Sequence, residues 1–154
     1  MGHWVMGLLI ALLPLGAAAA EVYLENETRL ATPDAIPEAL LGCRVQTELP
    51  REVAAWAGNV RLIESDTREG RFLDLRITEV RASGLLGNTR SVSVTGTLRE
   101  NGEEMRSFRG KRVTKRPMSD DCEALGKATL ALAQDIAGWL DNYATAPPLL
   151  GDAK

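Results

Sequence analysis

The sequence predicts an α+β fold: a two-layer sandwich in which an antiparallel sheet of about four or five strands carries a long C-terminal helix and a short helix on one face. Apolar residues alternate with polar ones between positions 73 and 98, and an Asn-Gly pair stands at 101–102. Farther on, apolar residues recur at every third or fourth position from 125 to 143. Alternation is typical of strands with one buried face, and the longer spacing is typical of an amphipathic helix.

The first part of the chain predicts a short strand and a short helix. Val22 and Leu24 stand two positions apart among polar residues, which indicates the strand. Thr47 can cap the helix, and Pro50 falls in its first turn, where a missing backbone N–H does no harm. The Gly-Asn pair at 58–59 ends this helix. We expect it to pack through three apolar side chains: Leu49, Val53 and Trp56.

The middle of the chain predicts the sheet. One strand is expected over residues 60–64, and the next passes through Leu73, Leu75 and Ile77, which alternate with polar residues. Val80 breaks this alternation, so we expect a bulge or the end of the strand there.

A further alternating strand leads into Asn101-Gly102, which predicts a type I′ hairpin turn because both central positions of that turn need positive φ. Simple pairing across this turn would place Phe108 of the following strand, residues 103–115, on the wrong face of the sheet. A bulge near Ser107 would bring its ring over Gly96, where an aromatic side chain can cover the backbone that a glycine leaves bare.

The last predicted helix follows Ser119, the expected N-cap, and the acidic residues after it suit the positive end of the helix dipole. Its apolar spacing continues to Tyr143, over about six turns. Residues 144–154, with two adjacent prolines, are expected to form a flexible tail. The chain therefore divides into a signal peptide (1–20), a single α+β domain (21–143) and this tail.

The first twenty residues have the pattern of a cleavable secretory signal. They contain no Lys, Arg, Asp or Glu, and an apolar run is followed by small residues that end in an Ala-x-Ala site, so we place cleavage between Ala20 and Glu21. The sequence Leu-Leu-Gly-Cys that ends at Cys43 is similar to a lipoprotein acylation site, but charged residues separate it from the apolar run. The pattern predicts export to the bacterial periplasm, with no membrane span after cleavage.

Two cysteines remain in the exported chain, Cys43 and Cys122. In an oxidising compartment the pair predicts one intramolecular disulfide, which would stabilise the fold by about 4 kcal/mol on the chain-entropy model. The alternative is that each cysteine is a buried free thiol.

The residues that most enzymes use are scarce. The only histidine, His3, leaves with the signal peptide, which removes the usual general base and nearly all zinc sites. Glu103-Glu104 and Asp120-Asp121 are carboxylate pairs, but a turn and a helix start explain them as solubilising and dipole-matched charges. We therefore predict no catalytic site, metal or cofactor, with a carboxylate-dependent enzyme as the less favoured alternative.

One strand carries an unusual density of positive charge. A surface for an anionic partner would consist of six residues: Arg106, Arg109, Lys111, Arg112, Lys115 and Arg116. Such a stripe could meet lipid phosphates or an acidic envelope protein, whereas the formal net charge of -3 argues against general nucleic-acid binding. The alternative is that charges on a long edge strand only prevent edge-to-edge aggregation. Alternation also divides the stripe, because Arg109 and Lys111 should point away from Arg106 and Arg112.

The sequence thus favours a non-enzymatic periplasmic accessory or binding protein. An inhibitor of an envelope enzyme is a second alternative, and its contact loop would be residues 83–88, which include the apolar pair Leu85-Leu86.

Four segments carry a resemblance to known proteins: FLDLRI at 72–77, VTGTL at 94–98, SF at 107–108, and CEALGK at 122–127 leading to DIAGWL at 135–140. Over roughly residues 43–140 the chain resembles a family of small, uncharacterised secreted proteins of Gram-negative bacteria. More loosely, it resembles the two-layer domain of envelope accessory lipoproteins such as transport auxiliary components. The resemblance implies a fold and an envelope location but no catalytic residues. Where those relatives have a glycine-rich segment before the last helix, this chain has Pro117-Met118-Ser119-Asp120.

Overall fold

A computed structural model describes residues 19–83, 89–115 and 120–154 of the chain. Three parts of the chain lie outside the described residues: residues 1–18 of the predicted signal peptide, residues 84–88, and residues 116–119, which include Arg116 and the predicted N-cap Ser119. The strands are β1 (Val22–Glu25), β2 (Arg29–Leu30), β3 (Val60–Ile63), β4 (Arg71–Ser83), β5 (Thr89–Glu100), β6 (Glu103–Lys115) and β7 (Leu149–Gly151). The helices are a 3₁₀ helix (Glu38–Cys43), α1 (Val45–Trp56) and α2 (Asp121–Asp141).

The broad α+β prediction is confirmed, but the predicted sheet of four or five antiparallel strands is wrong in size and direction. The strands form one seven-stranded mixed sheet in the order β3-β1-β4-β5-β6-β7, with β2 beside β4. Only the central β4-β5-β6 meander is antiparallel. β1 runs parallel to both β3 and β4, β2 runs parallel to β4, and β7 runs parallel to β6.

The two helices explain two of the parallel pairs, β1 with β3 and β6 with β7. After β1 the chain passes through α1 and returns as β3, which pairs with β1. After β6 it passes through α2 and returns as β7, which pairs with β6. A strand that is reached through a helical crossover lies parallel to its predecessor, whereas a tight turn reverses the chain. Local alternation identifies strands but carries no information about these crossovers, so the sequence pattern predicted only the hairpin pairings.

The hairpin and both bulges follow from local sequence. Asn101 and Gly102 have φ of 50° and 86°, as a type I′ turn requires. The irregularity expected at Val80 is confirmed as a register shift in β4 between Ile77 and Glu79. In the β5-β6 ladder, the shift separates the pairs Leu98–Arg106 and Arg99–Glu104. It places the extra residue at 105, nearer the turn than the predicted position at 107.

Phe108 lies directly opposite Gly96, as predicted. The ring fills the space that a Cβ on Gly96 would need, so any side chain at this position would force the ring to move. On its other side Phe108 packs against Trp139 of α2, with 4.7 Å between ring centroids. Phe108 therefore joins the sheet to the long helix at the centre of the core.

The short helix begins three residues earlier than predicted, because Arg44 and not Thr47 is its N-cap. Arg44, with φ of 58°, precedes its first residue, and the Thr47 hydroxyl donates to the Arg44 carbonyl instead of capping the helix. Pro50 therefore lies inside α1, beyond the first turn, and leaves the carbonyl of Gln46 without a helical donor. The backbone N–H of Thr28 donates to this carbonyl at 2.9 Å. The interruption is thus repaired by the segment between β1 and β2.

Both helices bury one face against the sheet. Leu49 and Val53 of α1 are fully buried, but Trp56, which we expected to pack in the core, is 56% exposed. The long helix begins after Asp120, whose carboxylate accepts hydrogen bonds from the backbone N–H groups of Cys122 and Glu123. Its apolar face contributes four of the large side chains that are most buried: Leu125, Leu132, Ile136 and Trp139. Within the described residues, no helix is both long and apolar enough to cross a membrane.

The segment 144–154, expected to be a flexible tail, contains β7 and extends the sheet. Leu150 is 7% exposed and belongs to the core. The N–H of Arg109 donates to the Pro148 carbonyl at 2.8 Å, and the N–H of Asp152 donates to the Lys111 carbonyl at 2.7 Å. The paired prolines indicated a loose tail, but they end just before the residues that pair with β6.

Candidate functional site

The basic strand is divided between the two faces of the sheet, as the alternation predicted. Arg112 lies on the helix side, where its guanidinium donates two hydrogen bonds to the Asp135 carboxylate, at 2.6 and 2.7 Å. These bonds raise the pKa of Arg112 above its ordinary value. Arg106 lies on the same side and donates to the carbonyls of Ala144 and Ala146, at 2.9 and 2.8 Å. Both arginines therefore hold α2 and the segment after it against the sheet.

Arg109, Lys111 and Lys115 lie on the opposite, helix-free face. They pair across β5 with Thr95, Ser93 and Thr89. Arg109 and Lys115 are exposed, and Lys111 is half-buried. Of the six predicted residues, these three form the candidate surface, and we call them the basic triad. Arg116, the sixth, lies outside the described residues.

The basic triad lines an open depression of about 1030 Å³. Lys154 and Asp152 border it from the segment after β7, and Thr78 and Glu79 border it from β4. The Nη2 atom of Arg109 donates to the backbone oxygen of Lys154 at 2.9 Å, which fixes the guanidinium at one side of the depression. Lys154 thus adds a fourth cation, which the prediction of a flexible tail had left out.

A second depression, of about 570 Å³, adjoins the first and shares Thr95 and Arg109 with it. Its wall is more apolar, because it includes Pro148 and Leu149. Leu149 is 41% exposed and lies opposite Arg109 in the register of β6 and β7. One feature of the sequence indicated this part of the site, the apolar pair at 149–150, which we assigned to the tail.

The cations at one end of the helix-free face have carboxylate partners, and those at the other end have none of the Asp or Glu kind among the described residues. At the end near β1 and β3, Arg61 pairs with Glu21 at 3.5 Å, and Asp74 pairs with Arg76 at 3.2 Å and with Arg99 at 3.7 Å. In the part of the chain that the structure describes, no Asp or Glu side chain forms an ion pair with the basic triad or with Lys154, and the guanidinium of Arg109 has the Lys154 backbone oxygen as its partner. The charge at this end of the face is available to a partner.

The acidic groups beside the basic triad already have partners. Glu79 pairs with Arg81 at 2.6 Å, and the Asp152 carboxylate accepts from the N–H of Val113 at 3.0 Å. The charged side chains that line the depression are four cations, those of the basic triad and Lys154, and two carboxylates, so they carry an excess of positive charge on a chain whose formal net charge is -3.

Edge protection does not explain the whole stripe. Between Arg109 and Lys111 the outer side of β6 is covered by β7, so this part of the strand is not an edge. Charges that prevent edge-to-edge pairing are useful where backbone groups are free to pair. Charges can therefore prevent edge-to-edge pairing only on the parts of β6 that β7 does not cover.

The carboxylate pairs considered as catalytic candidates have structural partners. Glu104 accepts a hydrogen bond from the Ser107 hydroxyl at 2.6 Å in the turn of the hairpin. Asp120 caps α2, and Asp121 pairs with Arg90 at 2.7 Å. Among the described residues, no group of three or more His, Cys, Asp or Glu side chains could hold a metal ion. The loop proposed for an inhibitor, residues 83–88, has its side chains outside the described part of the chain.

The disulfide is present between Cys43, at the end of the 3₁₀ helix, and Cys122, in the first turn of α2. The two Cα atoms are 4.8 Å apart, and 79 positions separate the cysteines in the sequence. The bond ties the start of α1 to the start of α2, and neither sulfur is a free thiol.

No family model and no curated protein matches this sequence. A solved structure from Xanthomonas campestris, of the DUF330 family, is 12% identical with a TM-score of 0.51, over 77% of this chain and 82% of that chain. A PelC dodecamer from Paraburkholderia phytofirmans is 20% identical with a TM-score of 0.48, over 76% and 89%. A minor lipoprotein from Acinetobacter baumannii is 15% identical with a TM-score of 0.48, over 84% and 98%.

The likeness to the Xanthomonas protein shows a shared fold and nothing further. The other two likenesses are weaker, and we draw no conclusion from them. No sequence family is shown.

Proposed function

We propose that this protein is a non-enzymatic binding protein of the bacterial envelope, exported by a signal peptide that is cleaved between Ala20 and Glu21. The disulfide supports this location, because disulfides persist in oxidising compartments such as the periplasm. The apolar run before the cleavage site supports export independently of the fold.

The binding surface is the helix-free face around the basic triad, and its partner is anionic. The observation that carries this proposal is that Arg109, Lys111 and Lys115 stand together on the helix-free face and form no ion pair with an Asp or Glu side chain of the described residues. Exposed cations that are left unpaired steer an anionic partner toward the surface and gain their interaction energy only when it binds. Arg106 and Arg112 are excluded from this surface, because their side chains lie on the other side of the sheet, where they bond to the segment after α2 and to Asp135.

The test is a cross-linking pull-down from the periplasm that compares the wild type with the triple variant Arg109→Glu/Lys111→Glu/Lys115→Glu. The matched control reverses three exposed cations elsewhere: Arg51→Glu/Arg61→Glu/Lys127→Glu. We expect the wild type and the control to capture the same partners and the triad variant to lose them. Identical partner sets for all three proteins would contradict the proposal.

A further inference from the structure

The basic and apolar depressions form one continuous surface on the helix-free face. They share Arg109 and Thr95, so the basic triad lies on one side of Arg109, and Leu149 with Pro148 lies on the other. The Arg109–Leu149 register places a cation and an exposed leucine next to each other across two paired strands. A ligand that covers both depressions must therefore be anionic and apolar in adjoining parts.

The openness of the surface limits what this ligand can be. Both depressions lie on a sheet face, and neither has a helix or loop that closes over it in the described residues. A single lipid molecule that was withdrawn from a membrane would leave most of its acyl chains in water, because binding of such chains depends on burying each methylene group. A broad, open face instead matches a partner that is itself a surface.

The charges fit an anionic bilayer. Negative lipid headgroups attract basic side chains near the surface, and each Lys or Arg strengthens binding roughly fivefold. The basic triad lies along one strand, where alternate residues are about 7 Å apart, so its members can meet several headgroups at once. Leu149, which is 41% exposed, stands where an apolar side chain would enter the interfacial region.

We infer that the helix-free face docks reversibly on an anionic phospholipid bilayer, with Arg109, Lys111 and Lys115 on the headgroup phosphates and Leu149 in the interface. The inference rests on the proposed function, because it names the anionic partner of the same surface. The role of Leu149 distinguishes a bilayer from an acidic protein, because an acidic protein would contact the basic triad and would not need an exposed leucine.

The test is co-sedimentation of the exported, purified protein with vesicles. Vesicles of phosphatidylglycerol and phosphatidylethanolamine are compared with neutral vesicles of phosphatidylcholine, and soluble polyphosphate serves as an anion without a membrane. We expect binding to the anionic vesicles that weakens as the salt concentration rises. The variant Arg109→Glu/Lys111→Glu/Lys115→Glu should bind these vesicles at least a hundredfold more weakly, since each lost cation accounts for roughly fivefold.

Leu149→Ser separates the membrane from other anions. It should weaken binding to the anionic vesicles about tenfold and leave polyphosphate binding unchanged. The control Arg51→Glu/Arg61→Glu/Lys127→Glu should retain most of the wild-type affinity for the anionic vesicles. Circular dichroism checks that each variant is folded.

The outcomes distinguish the two proposals. Equal binding to neutral and anionic vesicles would overturn the inference. Binding to polyphosphate or to an acidic protein without binding to anionic vesicles would also overturn it, while the proposed function would stand. If the protein binds none of these anions and captures no periplasmic partner, both proposals fail.

Discussion

The backbone N–H of Thr28 donates to the carbonyl oxygen of Gln46 across 2.9 Å, and the amide nitrogen of the Gln46 side chain donates back to the Thr28 carbonyl at 3.2 Å. This carbonyl is the one that Pro50 leaves without a donor inside α1. The segment between β1 and β2 therefore repairs the helix, and the helix in turn fixes that segment.

We expect Gln46→Ala to lower the free energy of unfolding by about 1 kcal/mol, because it removes the side-chain hydrogen bond and leaves the backbone bond intact. Urea denaturation measures the change. The control is Arg51→Ala on the same helix, where the ion pair with Glu48 is exposed and the expected change is within about 0.5 kcal/mol. Equal effects of the two substitutions would show that the contact with Thr28 contributes no stability.

The disulfide should be the largest single contribution to stability. Cys43→Ala/Cys122→Ala should lower the free energy of unfolding by about 4 kcal/mol, because the bond closes a loop across 79 positions and restricts the unfolded chain. Urea denaturation of oxidised wild type and the double variant tests this. Reducing agent should destabilise the wild type and leave the double variant unchanged. A difference below about 1 kcal/mol would contradict the predicted role.

The sequence was informative wherever the structure depends on neighbouring residues. Asn101-Gly102 predicted the hairpin, because positive φ at both positions is a local requirement. The distance of Phe108 from this turn, together with Gly96, predicted that the ring covers the glycine. The two cysteines predicted the disulfide because no other cysteine is available for pairing.

The sequence was less informative where the structure depends on long-range contacts. The pairing of β1 with β3 and the addition of β7 are parallel contacts made through helices, and alternation within a strand does not show them. The start of α1 was misplaced because Pro50 was assumed to avoid a missing hydrogen bond, whereas Thr28 supplies the donor. For the site, alternation separated the two faces of β6, but it could not show that Lys154 and Leu149 border one of them.

Substitution by alanine should change the stability in opposite directions at Gly96, which is covered by Phe108, and at Gly126, which has open space beside it. Gly96→Ala should destabilise the protein by about 1–3 kcal/mol, because the new Cβ would collide with the buried ring. Gly126→Ala in α2 meets no neighbour within 4 Å and should stabilise the protein by about 0.5–1 kcal/mol through helix propensity. Thermal unfolding of the two variants gives the sign of each effect. A neutral Gly96→Ala would show that the ring can move away without loss.

Adjacent leucines in β7 test whether this strand belongs to the fold. Leu150→Ala should lower the free energy of unfolding by about 2 kcal/mol or more, because Leu150 is 7% exposed and packs in the core. Leu149→Ala, at a position that is 41% exposed, should change it by less than about 0.5 kcal/mol. Chemical denaturation compares them. If Leu150→Ala is as mild as Leu149→Ala, β7 does not stabilise the domain.

The central claim is that the basic strand has two separate roles, one on each face of the sheet. The most direct measurement determines both the free energy of unfolding and the affinity for polyphosphate in two variants, Arg112→Gln and Arg109→Glu/Lys111→Glu/Lys115→Glu. We predict that Arg112→Gln loses about 1 kcal/mol of stability through its partly solvent-screened bonds to Asp135 and keeps its affinity. The triple variant should lose its affinity and change in stability by no more than about 0.5 kcal/mol, because the bond from Arg109 to Lys154 that it removes is exposed. Loss of affinity in Arg112→Gln with full affinity in the triple variant would contradict the claim.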